Sequence, residues 1–219
     1  MAKEKMRERI VEAARRLFLE NGYNNVLVDD IVRDLGISKK TIYNHFAGKS
    51  DMLKACIDQF VAEYDRDAEA IINDVDLSLR QKLAEYLRFV GVSFANISQE
   101  FLAELKRLEP EAWEKLCAYR RDIILKHFGP LMDEGVRVGY LRNDSTRYLG
   151  LMVYISAMQQ LSDPDYVRQF PDEMAGLIPT EMAELADQMI LLLLRGLLTP
   201  KFYTEQTVQS EETEMCYDV

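Results

Sequence analysis

The sequence is short of the residues that most enzymes rely on. It has two histidines, His45 and His127, one tryptophan and three cysteines in 219 residues. No Cys/His cluster has metal-ligand spacing, and there is neither a nucleotide-binding glycine loop nor a Gly-x-Ser-x-Gly elbow. Carboxylates are plentiful, but they recur on periodic helix faces, where they carry no catalytic signal. No enzyme, metal centre or resident cofactor is therefore expected. Cys56, Cys117 and Cys216 are odd in number and widely spaced, which argues for reduced thiols. Long apolar runs are missing too: the longest, Met189 to Leu194, falls far short of the roughly 18 residues that would suggest a membrane span. The opening MAKEKMRERI alternates charge and lacks an apolar signal core, so a cytoplasmic protein with no membrane partner is expected.

Glycine and proline are also scarce, at ten and six residues. Together with long polar/apolar periodicity this points to an all-α protein. Hydrophobic residues make up 48%, ample for a core. The formal charge of −10 hides an asymmetry: residues 1–50 carry ten Lys/Arg against seven Asp/Glu, and the remainder is strongly acidic. A basic N-terminal unit on an acidic body fits an anion-binding head joined to a body of different purpose.

Apolar spacing predicts a first helix from Lys3 to Glu20, stopped by Asn21-Gly22, and a short second one from Val28 to Leu35. A third runs from Ser38 to about Phe46, and a fourth from Gly48 to about Asn73. From Leu77 to Leu108 the apolar steps are all three or four, which predicts one long helix ending before Pro110. Further helices are expected over Glu111–Ala118, Tyr119–Val138, Ser145–Leu161 and Thr180–Leu198, with a loop containing one short helix over Asp163–Pro179. The expected organisation is a basic N-terminal head over residues 1–48, a helical body over 49–199 and an acidic, flexible tail over 200–219.

The informative stretch is GISKKTIYNHF, Gly36 to Phe46. A turn of Gly36, Ile37 and Ser38 between two short helices is a helix-turn-helix signature. Ile31, Val32, Leu35, Ile37, Ile42 and Phe46 can close its small core only if the helices cross steeply, and Gly36 lets the chain turn without a Cβ clash. Lys39 and Lys40 then occupy the first turn of the second helix, where a cation costs roughly 0.3–1 kcal/mol against the helix dipole. Such a helix enters the DNA major groove by its N-terminal residues, so the two ammonium groups would meet phosphates and guanine acceptors. Thr41, Tyr43, Asn44 and His45 add groups suited to phosphate oxygens, and Lys49, in Gly48-Lys49-Ser50, opens a helix able to hold another phosphate.

LFLENGYNNVLVDDIVRDLGISKKTIYNHFAGKSDML resembles the N-terminal domain of the tetracycline-repressor (TetR) family of bacterial transcription regulators. The resemblance is carried by Leu17, Phe18, Gly22, Tyr23, Ile31, Gly36, Ile37, Ser38, Tyr43, His45, Phe46, Lys49 and Leu53, over about residues 5–60. Val26 and Leu27 stand where the family has a capping Thr and a second hydroxyl residue, so the second helix must be capped from elsewhere, with Asp29 or solvent as candidates. Val32 replaces the usual small residue.

The resemblance implies a homodimer on a palindromic operator, most often a repressor released by a small-molecule effector. It implies dimerisation through the last two long helices, with Leu149, Met152, Val153, Ala157, Leu185, Met189, Leu193 and Gly196 as candidates. It also implies an effector pocket in the body, for which Tyr86, Phe89, Phe94, Phe101, Trp113, Tyr119, Phe128, Met132, Tyr148 and Met152 are candidate linings. Glu100 and Glu104, beside Phe101, would suit a cationic ligand. The alternative is a DNA-binding protein of the same fold whose acidic body docks a protein partner in a structural or cell-division role.

Overall fold

A computed structural model describes residues 2–195, and every regular element among them is helical. The head is α1 (Ala2–Asn21), α2 (Val28–Leu35) and α3 (Lys39–Tyr43), followed by the long α4 (Lys49–Asn73). α1 buries Ile10, Ala13, Ala14 and Phe18, a stripe of three- and four-residue steps that meets α2 and α4. α3 is shorter than the spacing suggests, because His45 N–H turns back to the Ile42 carbonyl and the chain reaches α4 through a tight turn.

Two expected boundaries in the body are wrong, for opposite reasons. The stretch Leu77–Leu108 is two helices, α5 (Leu79–Ala95) and α6 (Gln99–Leu108). Ile97 N–H makes a tight turn to the Phe94 carbonyl, and the Ser98 hydroxyl then accepts Phe101 N–H at 3.1 Å to start a new helix. The apolar steps continue across this break, so periodicity alone does not register it. Conversely, Ala118 and Tyr119 mark no boundary: α7 (Pro110–Ile123) passes through a π-helical turn at Ile124–Phe128 into α8 (Gly129–Arg137). Pro130 has no N–H to return to the preceding turn, which suits a widened turn at that point. The wide turn directs His127 and Phe128 inward, and both are buried.

α9 (Thr146–Leu161) is followed by α10 (Pro164–Val167) and α11 (Asp172–Ala175), two short helices where one was expected, and then by α12 (Met182–Arg195). Gly196, Leu197, Cys216 and the tail over 200–219 lie outside the described residues.

Three hydrophobic clusters hold the described residues together. The first joins α1 to α4 and continues into Phe101, Leu105 and Leu116 of α6 and α7, so the head shares its core with the body. The second, around Tyr86, Phe94 and Phe128, fills the centre of the body. The third packs Tyr154 and Met158 of α9 on Leu185, Ala186 and Ile190 of α12. Gly91 makes the crossing of α5 and α9 close: the Tyr154 hydroxyl donates to Leu87 O at 2.8 Å, and a Cβ on Gly91 would lie 2.1 Å from that oxygen.

Candidate nucleic-acid interface and body sites

The turn between α2 and α3 has the expected geometry. Gly36 sits in the left-handed region at φ 64, and Ile37 N–H returns to the Val32 carbonyl at 3.2 Å. Ile31 and Ile42 are fully buried, Phe46 nearly so, and Val32, Leu35 and Ile37 pack at the edge of the same cluster. The Arg7 guanidinium lies over the outer face of Phe46, 5.2 Å from its centroid.

Asp29, one of the expected candidates, does not cap the α2 N-terminus. Leu27 is the first residue outside the helix, and its N–H donates to Asp30 Oδ2 at 2.8 Å. Asp29 is turned instead to Lys39, whose Nζ lies 2.8 Å from its carboxylate. This hydrogen bond raises the Lys39 pKa above its ordinary value and offsets the repulsion from the helix end. Both side chains are more than half exposed, so the pair is screened by solvent and a phosphate can compete for the lysine.

Lys40, Tyr43 and Asn44 are exposed, and Lys40 has no carboxylate partner among the described residues. Thr41 is half-buried, with its hydroxyl 2.9 Å from that of Ser38, whose oxygen also accepts Thr41 N–H at 3.1 Å. It therefore serves first to cap α3. His45 is half-buried.

Lys49 departs from the expectation. Its ammonium points into the head, donating to Val26 O at 2.7 Å and lying 4.2 Å from the centroid of the Tyr23 ring. Burial pushes its pKa down, partly countered by Glu104 and Glu109. Val26 is buried where the family has a hydroxyl residue, and its carbonyl takes up this cation. Ser50 is committed as well, donating to Glu109 Oε2 at 2.7 Å, so neither side chain faces an incoming phosphate.

Sequence reasoning missed the carboxylates that join head to body. Glu109, between α6 and α7, accepts hydrogen bonds from both Tyr23 and Ser50, and Glu104 Oε2 accepts Asn24 N–H at 3.1 Å. A Cβ on Gly22, at φ 80, would come within 3.2 Å of the same Glu104 oxygen. Glu104 is thus not available for a cationic ligand, and Glu100 lies on the surface. Nothing in the local pattern marks these contacts, because their partners lie more than fifty residues away in the chain.

The pocket candidates divide into three groups. Tyr86, Phe94 and Phe128 line a closed cavity of only about 10 Å³ at the centre of the body, with Phe89, Tyr119 and Met132 packed into the same cluster. Such a space is barely enough for one water molecule. Phe101 and Trp113 belong to the cluster shared with the head, and Phe101 lines a larger cleft of about 340 Å³ between α1, α4 and α5–α7. Tyr148 and Met152 are exposed on the outer side of α9 and line neither space, because the inward side of that helix is taken by Leu151, Tyr154 and Met158.

The dimerisation candidates divide in the same way. Leu149, Met152 and Val153 are each more than half exposed, and Leu193 is exposed on α12 with Leu191 and Leu192 beside it. Ala157 is half-buried. Leu185 does not belong to this surface: it is buried in the α9–α12 core, and Met189 packs against the same cluster. Gly196 lies outside the described residues.

Residues 10–56 match the family described as bacterial regulatory proteins, tetR family. Over 164 residues the chain is 27% identical to the HTH-type transcriptional regulator YvaF of Bacillus subtilis, covering 74% of this chain and 83% of that protein. It is 26% identical to the HTH-type transcriptional repressor DhaR of Mycobacterium sp. strain GP1, covering 66% of this chain and 74% of that protein. Among solved structures, a TetR/AcrR-family regulator from Thermobifida fusca superposes with a TM-score of 0.64 at 24% identity, over 88% of this chain and 98% of that one. The fatty acid degradation regulator FadR of Bacillus halodurans does so with a TM-score of 0.63 at 19% identity, over 88% and 96%. These two likenesses support the fold. Taken with the helix-turn-helix geometry, the matches give residues 10–56 as a head similar to that of the tetR family of bacterial regulatory proteins, and the chain as a DNA-binding transcriptional regulator.

Proposed function

We propose that the chain acts in the cytoplasm as a homodimeric repressor that holds a palindromic operator and releases it when a small molecule occupies the body. The observation that carries the reading is the exposed set Lys40, Tyr43 and Asn44, presented by a five-residue helix and its C-terminal cap, whose opposite side is fixed by fully buried Ile42. One such helix makes too few contacts for tight specific binding, and two copies on half-sites about one DNA turn apart supply the rest. The exposed apolar band of Leu149, Met152 and Val153 with Leu191 to Leu193 supports pairing of two copies through α9 and α12.

Sedimentation of the purified chain should give a dimer, and footprinting on its own promoter region should protect a two-fold symmetric site. Lys40→Ala should weaken operator preference by about 1–3 kcal/mol while leaving thermal stability unchanged or slightly raised. A monomeric chain, or an unaltered footprint with a lowered melting temperature in that variant, would overturn the reading.

A further inference from the structure

The cleft of about 340 Å³ between head and body is too large to be a flaw in packing, and its size falls within the range of small-molecule sites. Phe18 and Leu19 of α1, Ile57 and Phe60 of α4, Phe101 of α6 and Leu116 of α7 give it apolar walls, and the end of α5 completes them. Its charged groups are matched. Arg15 on α1 and Glu63 on α4 both border the cleft and form an ion pair at 2.5 Å, and Gln59 donates to the other oxygen of that carboxylate at 2.8 Å. No charge in the lining is left for a ligand to neutralise, so a charged ligand would give up hydration without return. The thiol in the wall, Cys56, donates to Val11 O, and burial pushes its pKa up to about 12, so it stays protonated and unreactive.

Hydrogen-bonding capacity remains at the end of α5. Ser93 is half-buried and Asn96 exposed; both line the cleft, and their three-residue spacing puts them on one side of the chain. Asn96 N–H returns to Val92 O and Ile97 N–H to Phe94 O, so the Ser93 carbonyl between them receives no backbone donor from this last turn. A helix C-terminus is rich in acceptors and carries partial negative charge, which favours a hydrogen-bond donor and disfavours an anion. Phe18, Leu53 and Leu105 of the same lining are buried, so the cleft grades from a polar, wetter end to an apolar interior.

We infer that this cleft binds a neutral amphiphile of the medium-chain alcohol type, with its hydroxyl at Ser93 and Asn96 and its apolar chain among Phe18, Ile57 and Phe101. The inference deepens the proposed regulatory reading by naming the chemistry of the effector, and rests on that reading for its regulatory role alone. Phe18 belongs to the head and Phe101 to α6, so the apolar chain touches both at once. Its binding therefore bears directly on how the head sits on the body.

Calorimetry on the full-length protein with 1-octanol, octanoate and octylamine tests the site. Octanol should bind saturably, and the two charged analogues about tenfold or more weakly. Leu19→Trp, at a position 42% exposed, should fill the cleft and abolish octanol binding with little change in melting temperature. Ser93→Ala/Asn96→Ala should lose about tenfold for octanol, as expected for two hydrogen bonds, and keeps the test open if the tryptophan variant misfolds. Octanoate or octylamine binding as tightly as octanol, no saturable octanol binding, or undiminished binding in either folded variant would overturn the site. Operator binding, measured separately, keeps the two readings apart: octanol held in the cleft without any change in operator affinity supports the site and overturns its regulatory role.

Discussion

Removing the Glu109 carboxylate is the sharpest test of how head and body are joined. In Glu109→Ala two donors lose their acceptor: the hydroxyl of Tyr23, a residue only 5% exposed, and that of Ser50, which lies 2.7 Å from Oε2. A hydrogen bond to a charged acceptor is worth about 1.5–3 kcal/mol and a neutral, partly wet one about 1 kcal/mol. Burial and the Glu109 contact together push the Tyr23 pKa far above its ordinary value, as expected for a phenol that keeps its proton and donates it. Relieving the partial desolvation of Glu109 itself returns some of this, leaving a net loss of about 2–3 kcal/mol. For a chain of this length that corresponds to a fall of about 4–12 °C in melting temperature, readable by calorimetry or circular dichroism. Tyr23→Phe removes only one of the two bonds and should fall less. In the double variant Tyr23→Phe/Glu109→Ala the two losses should be less than additive, because each removes the same contact. A shift below about 1 °C in Glu109→Ala, or strict additivity in the double variant, would show that this carboxylate does not fasten the head.

Three further outcomes follow from contacts already described. Lys49→Ala should lower stability by about 1–3 kcal/mol, through the lost bond to Val26 O and the Tyr23 ring, while barely changing the salt slope of operator binding. That slope should be about −5 to −7 for a dimer neutralising roughly six to eight phosphates, and a drop of a full unit in Lys49→Ala would return the lysine to the DNA-facing set. Gly91→Ala should cost about 1–3 kcal/mol in thermal unfolding, because its methyl would collide with the Tyr154 hydroxyl; pairing it with Tyr154→Phe should give less than the sum. Burial acts to raise the Asp65 pKa, but hydrogen bonds from His127 and Lys126 outweigh it and leave the carboxyl below its ordinary value. A depressed folded-state pKa adds stability that is present above the unfolded value of about 3.9 and lost as pH falls through the folded one. Asp65→Asn should therefore flatten the acid limb of the stability profile below about pH 5, and an unchanged limb would count against the assignment.

The reading head was legible because its signals are local. Gly36, the Ser38 cap and the spacing of Ile31, Leu35, Ile37 and Ile42 lie within twelve residues, and each has one good structural solution. Lys49 was misread for the complementary reason. A lysine in the first turn of a helix looks like a phosphate ligand until Val26 O and the Tyr23 ring, more than twenty residues earlier, are seen to receive it. The dimerisation stripe shows the same limit: Leu185 and Leu193 share one helical pattern, but only the position of Tyr154 and Met158 on α9 decides that the first is core and the second is surface. For the pocket, a set of aromatics at helical spacing predicted a greasy body correctly. It could not tell the closed centre around Tyr86 from the open seam beside Phe101, since that depends on where α1, α4 and α5–α7 separate.

The break at Asn96–Ser98 gives these pieces a common physical logic. Had Leu77–Leu108 been one straight helix, its C-terminal half would have continued along the direction of α5. The Ser98 cap starts a separate α6 instead, and this places Phe101 and Leu105 in the head core with Glu104 at Asn24 and Glu109 at Tyr23 and Ser50. The same short helix therefore walls the cleft on one side and grips the turn before α2 and the start of α4 on the other. A ligand that moves Phe101 and Leu105 must either carry the two glutamates with them or strain their hydrogen bonds, and each course alters the angle at which α3 is presented. Contacts alone do not establish coupling; a two-state element biased from both ends does. Among the described residues α4 and α6 both line the cleft and meet the head, and Glu109→Ala tests the second route: it should weaken the effect of any effector on operator affinity more than it weakens effector binding itself. An effector response that survives intact in Glu109→Ala would mean that the signal travels through α4, with α6 serving only as a wall.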